Sequence, residues 1–171
     1  MPLGEWSDGE KFSYTENFNI VCGPSSLQMK RIDGLEVSQK KAEYLKYILE
    51  QGERARTKEI ADHFSVSPST ITKVLEDLAQ HGFVVHTPYY GVVLTPMGKE
   101  YAGFLLRRHR LLSLALTHFG LDEEEACSEA KRFEAYVSKE VIDRICASFG
   151  HPVMGICGPI EHDTCCCCPE E

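Results

Sequence analysis

Two groups of side chains in this 171-residue chain are of types that hold transition metals. In the first, His109 stands among three arginines in Arg107-Arg108-His109-Arg110, and Cys127, Lys131, Glu134 and Ser138 recur at i, i+4, i+7 and i+11 on one helical face. Imidazole, thiolate and carboxylate together suit iron, manganese or zinc, so His109, Cys127 and Glu134 could hold one divalent ion, with Glu43 joining from an earlier helix. The other reading is ordinary: His109 a hydrogen-bonded histidine, Glu134 paired with Lys131 or an arginine, Cys127 a small core residue. Spacing alone sides with the ordinary reading. The second group is C-terminal, where Cys157 and His162 precede the run Cys165-Cys166-Cys167-Cys168. Neighbouring side chains on an extended backbone alternate sides, so four consecutive cysteines cannot all face one ion. Two can, with Cys157 and His162 beside them, as ligands for zinc or an iron–sulfur cluster. Against this, no second well-spaced cysteine pair completes a zinc-finger signature, and a tail without function fits these residues as well.

The eight cysteines also include Cys22 and Cys146. The N-terminal stretch MPLGEWSDGEKFSYTE lacks the basic-then-apolar order of a signal peptide, and no apolar run is long enough to span a membrane. A cytoplasmic protein is expected, and in that compartment metal or redox chemistry is a stronger reading of cysteines than a disulfide framework. An enzyme is not expected. The sequence shows no nucleophile–base–orienter set, no glycine-rich phosphate loop and no His-Glu-x-x-His motif. A thiol–disulfide enzyme would want Cys-x-x-Cys at a helix start, whereas Pro169-Glu170-Glu171 follows the cysteine run.

The elements that must position these groups are legible from period and capping. Ser38 opens a helix through Gln51 with Ala42, Leu45, Ile48 and Leu49 inward. Thr57 can cap a helix carrying Ile60, Ala61 and Phe64. After the turn Ser65-Val66-Ser67-Pro68, with Ser67 as N-cap and Pro68 at the first helical position, a second helix buries Ile71, Val74, Leu75 and Leu78. Its other face shows Ser69, Thr70, Thr72 and Lys73, with none of the acidic residues of an ordinary surface. Past Gly82 the period becomes two, giving strands Phe83–His86 and Tyr89–Leu94 around Pro88. Helix, turn, helix and wing are the shape that places one helix in the major groove of double-stranded DNA. Ser67, Ser69, Thr70, Thr72 and Lys73 are the expected contacts, with Arg54, Arg56, Thr57, Tyr89 and Tyr90 at phosphates. The bland alternative is a small helical module that binds protein.

Thr95-Pro96 then opens a long helix to His118, Asp122 another through about residue 135, and Ser138 a third carrying Val141, Ile142, Ile145 and Cys146. From Gly150 onward glycine, proline and cysteine dominate, and a loop or disorder is expected. Residues 1–34 show no sustained periodicity and read as an arm. The net charge of −8 divides unevenly: −3 over residues 1–37, +3 over 38–112 and −8 over 113–171. Phosphate contacts need local cations rather than a basic protein, so the positive middle suits a DNA-reading part joined to one that does something else.

Residues 38–160 resemble the iron- and manganese-dependent repressors of the DtxR/MntR type. The likeness is carried by AEYLKYILEQGERARTKEIADHFSVSPSTITKVLEDLAQHGFV, by YGVVLTPMGKEYAGFLLRRHRLLSLAL and by FGLDEEEA leading into FEAYVSKEVIDRI. The resemblance implies a mainly α fold: a winged helix-turn-helix DNA-binding domain (35–95), then an α-helical dimerisation and metal-sensing domain (96–150), with a cysteine-rich tail (151–171). It implies a homodimeric repressor on palindromic operators, responsive to Fe(II) or Mn(II), with Glu43, His109 and Glu134 at ligand positions. It also exposes departures. Lys131 stands where the pattern has Cys or Glu, Ala135 where it has His, and Lys46 where manganese-type members have an acid. An ammonium has no lone pair and repels a cation. Three outcomes follow: an ion on Glu43, His109, Cys127 and Glu134; sensing moved to the tail cysteines, as a metal site or as an iron–sulfur or thiol-redox site on Cys127, Cys157 and members of Cys165–Cys168; or sensing lost.

Overall fold

A computed structural model describes residues 33–87 and 90–162. The first helix, α1 (Gln39–Glu50), buries Ala42, Tyr44, Leu45 and Ile48. A two-residue strand, β1 (Arg54–Ala55), leads into α2 (Thr57–His63) and α3 (Pro68–Gln80). The expected cap at Thr57 is corrected: Arg56 holds the N-cap position, and its backbone N–H donates to Glu59 Oε2 at 2.8 Å. A glutamate three residues on satisfies that end, so Thr57 serves as the first helical residue. Ser67 caps α3 as expected, its hydroxyl accepting from the Thr70 N–H at 3.2 Å, and Ile71, Leu75 and Leu78 are buried. Ser67→Ala should cost about 1 kcal/mol of stability, read as a lower midpoint in chemical denaturation.

Strands β2 (Val84–Thr87) and β3 (Gly91–Leu94) form the wing, with Val85 opposite Val93. The sheet order is β1-β3-β2, because β1 pairs antiparallel with β3 on its other edge. Two residues are too few to show a period, which is why β1 is invisible in the sequence.

The long helix α4 (Pro96–His118) starts at the expected Thr95 cap, whose hydroxyl accepts from the Gly98 N–H at 2.9 Å. Its first turn is docked on the wing: the Thr95 N–H donates to the Phe83 carbonyl at 3.0 Å and its hydroxyl to the Gly82 carbonyl at 2.6 Å. Helix α5 (Glu123–Phe133) ends two residues before the expected boundary, in a 3₁₀ turn over Glu134–Tyr136, and α6 (Lys139–Ser148) follows.

Beyond α6 the expected loop is, through His162, partly ordered structure. Strands β4 (Met154–Gly155) and β5 (Gly158–Pro159) form a hairpin against α4. Gly155 lies on the Arg110 backbone so closely that a Cβ would stand 3.2 Å from its carbonyl oxygen, and the Arg110 guanidinium donates to the Pro159 carbonyl. Only Ile160 is a buried hydrophobic of this segment, so there was no alternation to read.

The arginines of α4 turn inward. Arg108 is 1% exposed, donating to the Gly34 and Val137 carbonyls at 2.7 and 3.2 Å, and Arg107 pairs with Asp143 at 2.7 Å. Part of the positive charge counted with the middle of the chain therefore stabilises the protein itself. No helix among the described residues is long and apolar enough to cross a membrane.

Candidate metal centre and nucleic-acid interface

The start of α3 presents a row of small polar side chains to solvent. Ser67, Ser69, Thr70 and Lys73 are exposed and Thr72 is half-buried. The hydroxyls are ordered by one another: Ser67 Oγ lies 2.9 Å from Ser69 Oγ and 2.8 Å from Thr70 Oγ1, and Thr72 donates to the Pro68 carbonyl at 3.0 Å. Arg54 and Arg56 are exposed beside the sheet, Thr57 is half-buried, and Tyr90 is exposed at the wing tip. Tyr89 lies outside the described residues. The face is open because the apolar stripe of the same helix packs inward, beside α2 and β2, leaving the opposite stripe exposed among the described residues.

The second domain gathers metal-type ligands around His109, which is 8% exposed on α4. Its Nδ1 lies 2.6 Å from Glu134 Oε2, and the other oxygen of Glu134 accepts from the Lys46 ammonium at 2.7 Å. Burial pushes the Glu134 carboxyl up, but the hydrogen bond from His109 and the charge and hydrogen bond of Lys46 outweigh it, holding it below the usual carboxylate range. A carboxylate on Nδ1 fixes that nitrogen as the donor and leaves the Nε2 lone pair free. That lone pair points to sulfur: Nε2 is 3.3 Å from Cys127 Sγ, and Cys157 Sγ lies 3.5 Å from Cys127 Sγ. The three ligand atoms lie within 4.8 Å of one another. Bond lengths of thiolate and imidazole to a tetrahedral ion require S···S near 3.8 Å and S···N near 3.6 Å, so the two contacts made by Cys127 fit a shared metal to about 0.3 Å, and the third ligand atom lies within 4.8 Å of both others. In this structure Cys157 carries a thiol raised above its ordinary value by burial and by the sulfur of Cys127, and an ion would have to displace that proton.

The candidate ligand atoms converge differently from the expected set. Glu134 contacts the imidazole on the side away from the sulfurs and orients it. Glu43 sits one turn before Lys46 on α1, half-buried, and is not among the converging ligand atoms. Lys46, expected only to repel a cation, occupies Glu134 instead. Lys131 is exposed, and its charge still reaches the Cys157 thiol, where it favours the thiolate. Cys157 comes to Cys127 rather than to His162, and His162 joins Cys146 and His151 elsewhere. Cys165, Cys166, Cys167 and Cys168 lie outside the described residues. Cys157 was expected as a ligand with the tail or beside Cys127 in a cluster; its approach to His109 was not, because only the hairpin, with no readable period, brings residue 157 beside residue 127. Among the described residues no more than two thiols converge, which leaves the iron–sulfur reading without support.

Comparison with known proteins agrees with this architecture. Residues 36–92 match the model of the iron-dependent repressor N-terminal DNA-binding domain, and residues 95–158 that of the iron-dependent repressor metal-binding and dimerisation domain. The HTH-type transcriptional regulator MntR of Geobacillus thermodenitrificans is 36% identical over 103 residues, covering 60% of this chain and 73% of that protein. A hypothetical protein from Sulfolobus solfataricus superimposes with a TM-score of 0.64 at 27% identity, covering 74% of this chain and 100% of that one. A manganese-dependent transcriptional repressor solved with manganese gives 0.58 at 33% identity, over 67% of this chain. The chain spans 55% of that repressor, and 66% to 73% of the curated regulators it matches. With both domain models matched in order and a regulator of this kind aligned over most of its length, the chain belongs to the iron-dependent repressor family of metal-dependent, helix-turn-helix transcriptional regulators, which are not enzymes.

Proposed function

We propose that this chain is a cytoplasmic repressor that binds inverted-repeat DNA as a homodimer when His109, Cys127 and Cys157 hold a divalent metal. The observation that carries the reading is the placement of His109: one ring nitrogen faces two sulfurs, the other a carboxylate that Lys46 ties to the DNA-reading half. Lys46 is on α1, whose Leu45 and Ile48 share the core with α3, and Gln39 of the same helix donates to the Lys131 carbonyl of α5 at 2.6 Å. A shift of the imidazole is therefore passed to α1 through two short polar contacts. A bound ion would supply a crosslink between α4, α5 and the hairpin, favouring one arrangement of these elements over others. Two sulfurs and an imidazole are softer than the carboxylate sets that suit manganese, so Fe(II) or zinc is the better match.

Dimerisation is supported by the matched domain and by apolar side chains left in solvent on the second half of the chain, with Phe119 77% and Tyr136 81% exposed. We place the boundary between the two domains at residue 95 and count the hairpin with the second. Selection from random duplexes should return two inverted half-sites about one helical turn, or a multiple, apart. On such a duplex Lys73→Ala should weaken specific binding by roughly 1–3 kcal/mol with less effect on random DNA. Equal loss on both would move Lys73 to a phosphate. Selection of no sequence at all would overturn the proposal.

A further inference from the structure

A second cluster lies at the foot of the hairpin and belongs neither to the His109 group nor to the DNA-reading face. Cys146, in the last turn of α6, has no exposed surface. Its Sγ lies 3.6 Å from His151 Nδ1 and 3.5 Å from His162 Nδ1, and the three ligand atoms are within 4.8 Å of one another. For a thiolate and an imidazole on one tetrahedral ion the expected S···N separation is about 3.6 Å, which both distances match. The rings stand nearly perpendicular, at 80°, with centroids 5.9 Å apart, so they approach the sulfur from different directions.

Both histidines are set in place by backbone. His151 adopts φ +56, in the left-handed region that a non-glycine residue enters at a cost, and its N–H donates to the Cys146 carbonyl at 3.0 Å. That turn folds the chain back on the end of α6. His162 Nε2 lies 3.1 Å from the Pro152 carbonyl, so Nε2 carries the proton and the Nδ1 lone pair is left toward the sulfur. His151 precedes β4 and His162 follows β5, so the two imidazoles bracket the hairpin. Hairpins with two-residue strands are not stable alone, and this one buries a single large side chain, Ile160.

We infer that Cys146, His151 and His162 bind a zinc-class divalent cation that staples both feet of the hairpin to α6, with water completing the coordination. A thiolate and two imidazoles are the donor set of zinc rather than of manganese or calcium. The staple fixes the hairpin that carries Cys157 to Cys127, while using none of the ligands of that other group.

The test uses the full chain with Cys127, Cys157 and Cys165–Cys168 replaced by serine, so that the hairpin-foot cysteine is the only thiol left besides Cys22. Anaerobic titration with Co(II) should then give one equivalent, showing sulfur-to-cobalt charge transfer and the intense visible bands of tetrahedral cobalt, displaced by zinc. Adding His162→Gln, on a partly exposed residue, should weaken binding at least about 100-fold, and adding Cys22→Ser should change nothing. His151→Gln repeats the measurement from the other side of the hairpin, and circular dichroism of the apo variants confirms their fold. Zinc should also slow amide exchange at Ile160. No bound cobalt, bands lacking sulfur character, or equal affinity with and without His162 would each overturn the assignment.

Discussion

Cys127→Ser and Cys157→Ser should each lower metal affinity at least about 100-fold, whereas Glu43→Gln should leave it within roughly threefold. The measurement is competition against a chromophoric chelator, made with Fe(II) or zinc on protein carrying His162→Gln and serine at Cys165–Cys168, so that the His109 group is the site titrated. The contrast follows from position. Both sulfurs lie on the open side of the imidazole, 3.3 Å from Nε2 in one case and 3.5 Å from the first sulfur in the other. Serine keeps the shape but offers a hydroxyl that stays protonated and binds these ions poorly. Glu43 contributes no atom to the converging set, so removing its charge acts only from a distance. A large loss in Glu43→Gln with none in the serine variants would return the site to the carboxylate side of the ring, where Lys46 now sits.

Gly98→Ala should destabilise the protein by at least about 3 kcal/mol, lowering the midpoint of thermal unfolding, and should abolish tight DNA binding. A Cβ at this position would stand 1.7 Å from the Phe83 carbonyl oxygen and 2.7 Å from its carbon. The obstacle is backbone, and it is held: the same oxygen accepts from the Thr95 N–H at 3.0 Å. Relief requires α4 to lift from the wing, which breaks the joint between the domains. Gly103→Ala on the same helix meets nothing within 4 Å and serves as the control, with near-wild-type or slightly raised stability. A stable, DNA-binding Gly98→Ala would show that α4 is not seated on the wing in this way.

These two cases mark what could and could not be read from the chain. The Thr95-Pro96 and Ser67-Pro68 starts carry their own caps, so both helices stand where local chemistry puts them. The amphipathic stripe of α3 likewise fixed in advance which of its faces would meet solvent. The metal group was only half legible. His109 and Cys127 sit on regular helices whose periods can be counted, and they do come together. Cys157 and His162 were visible as ligand types, but which partners they meet depends on a four-residue ladder with a single buried side chain behind it. Cys146 read as part of an apolar helix face and His151 carried no pattern at all. A cysteine one turn before a helix end, followed by Gly150-His151, is the signal that could have flagged the hairpin-foot cluster. Lys46 shows a different gap. Its charge argues against a cation beside it, yet only coordinates reveal that it pairs with Glu134, the carboxylate that holds Nδ1 of the imidazole.

The most direct test of the whole account is fluorescence anisotropy of a duplex selected by the wild-type protein, titrated once in chelator and once in Fe(II) or zinc. The account predicts that metal tightens binding to that duplex by an order of magnitude or more, and that Cys127→Ser/Cys157→Ser protein binds as weakly with metal as the wild type does in chelator. Identical affinity in chelator and in metal, or a full metal response in the double variant, would contradict it.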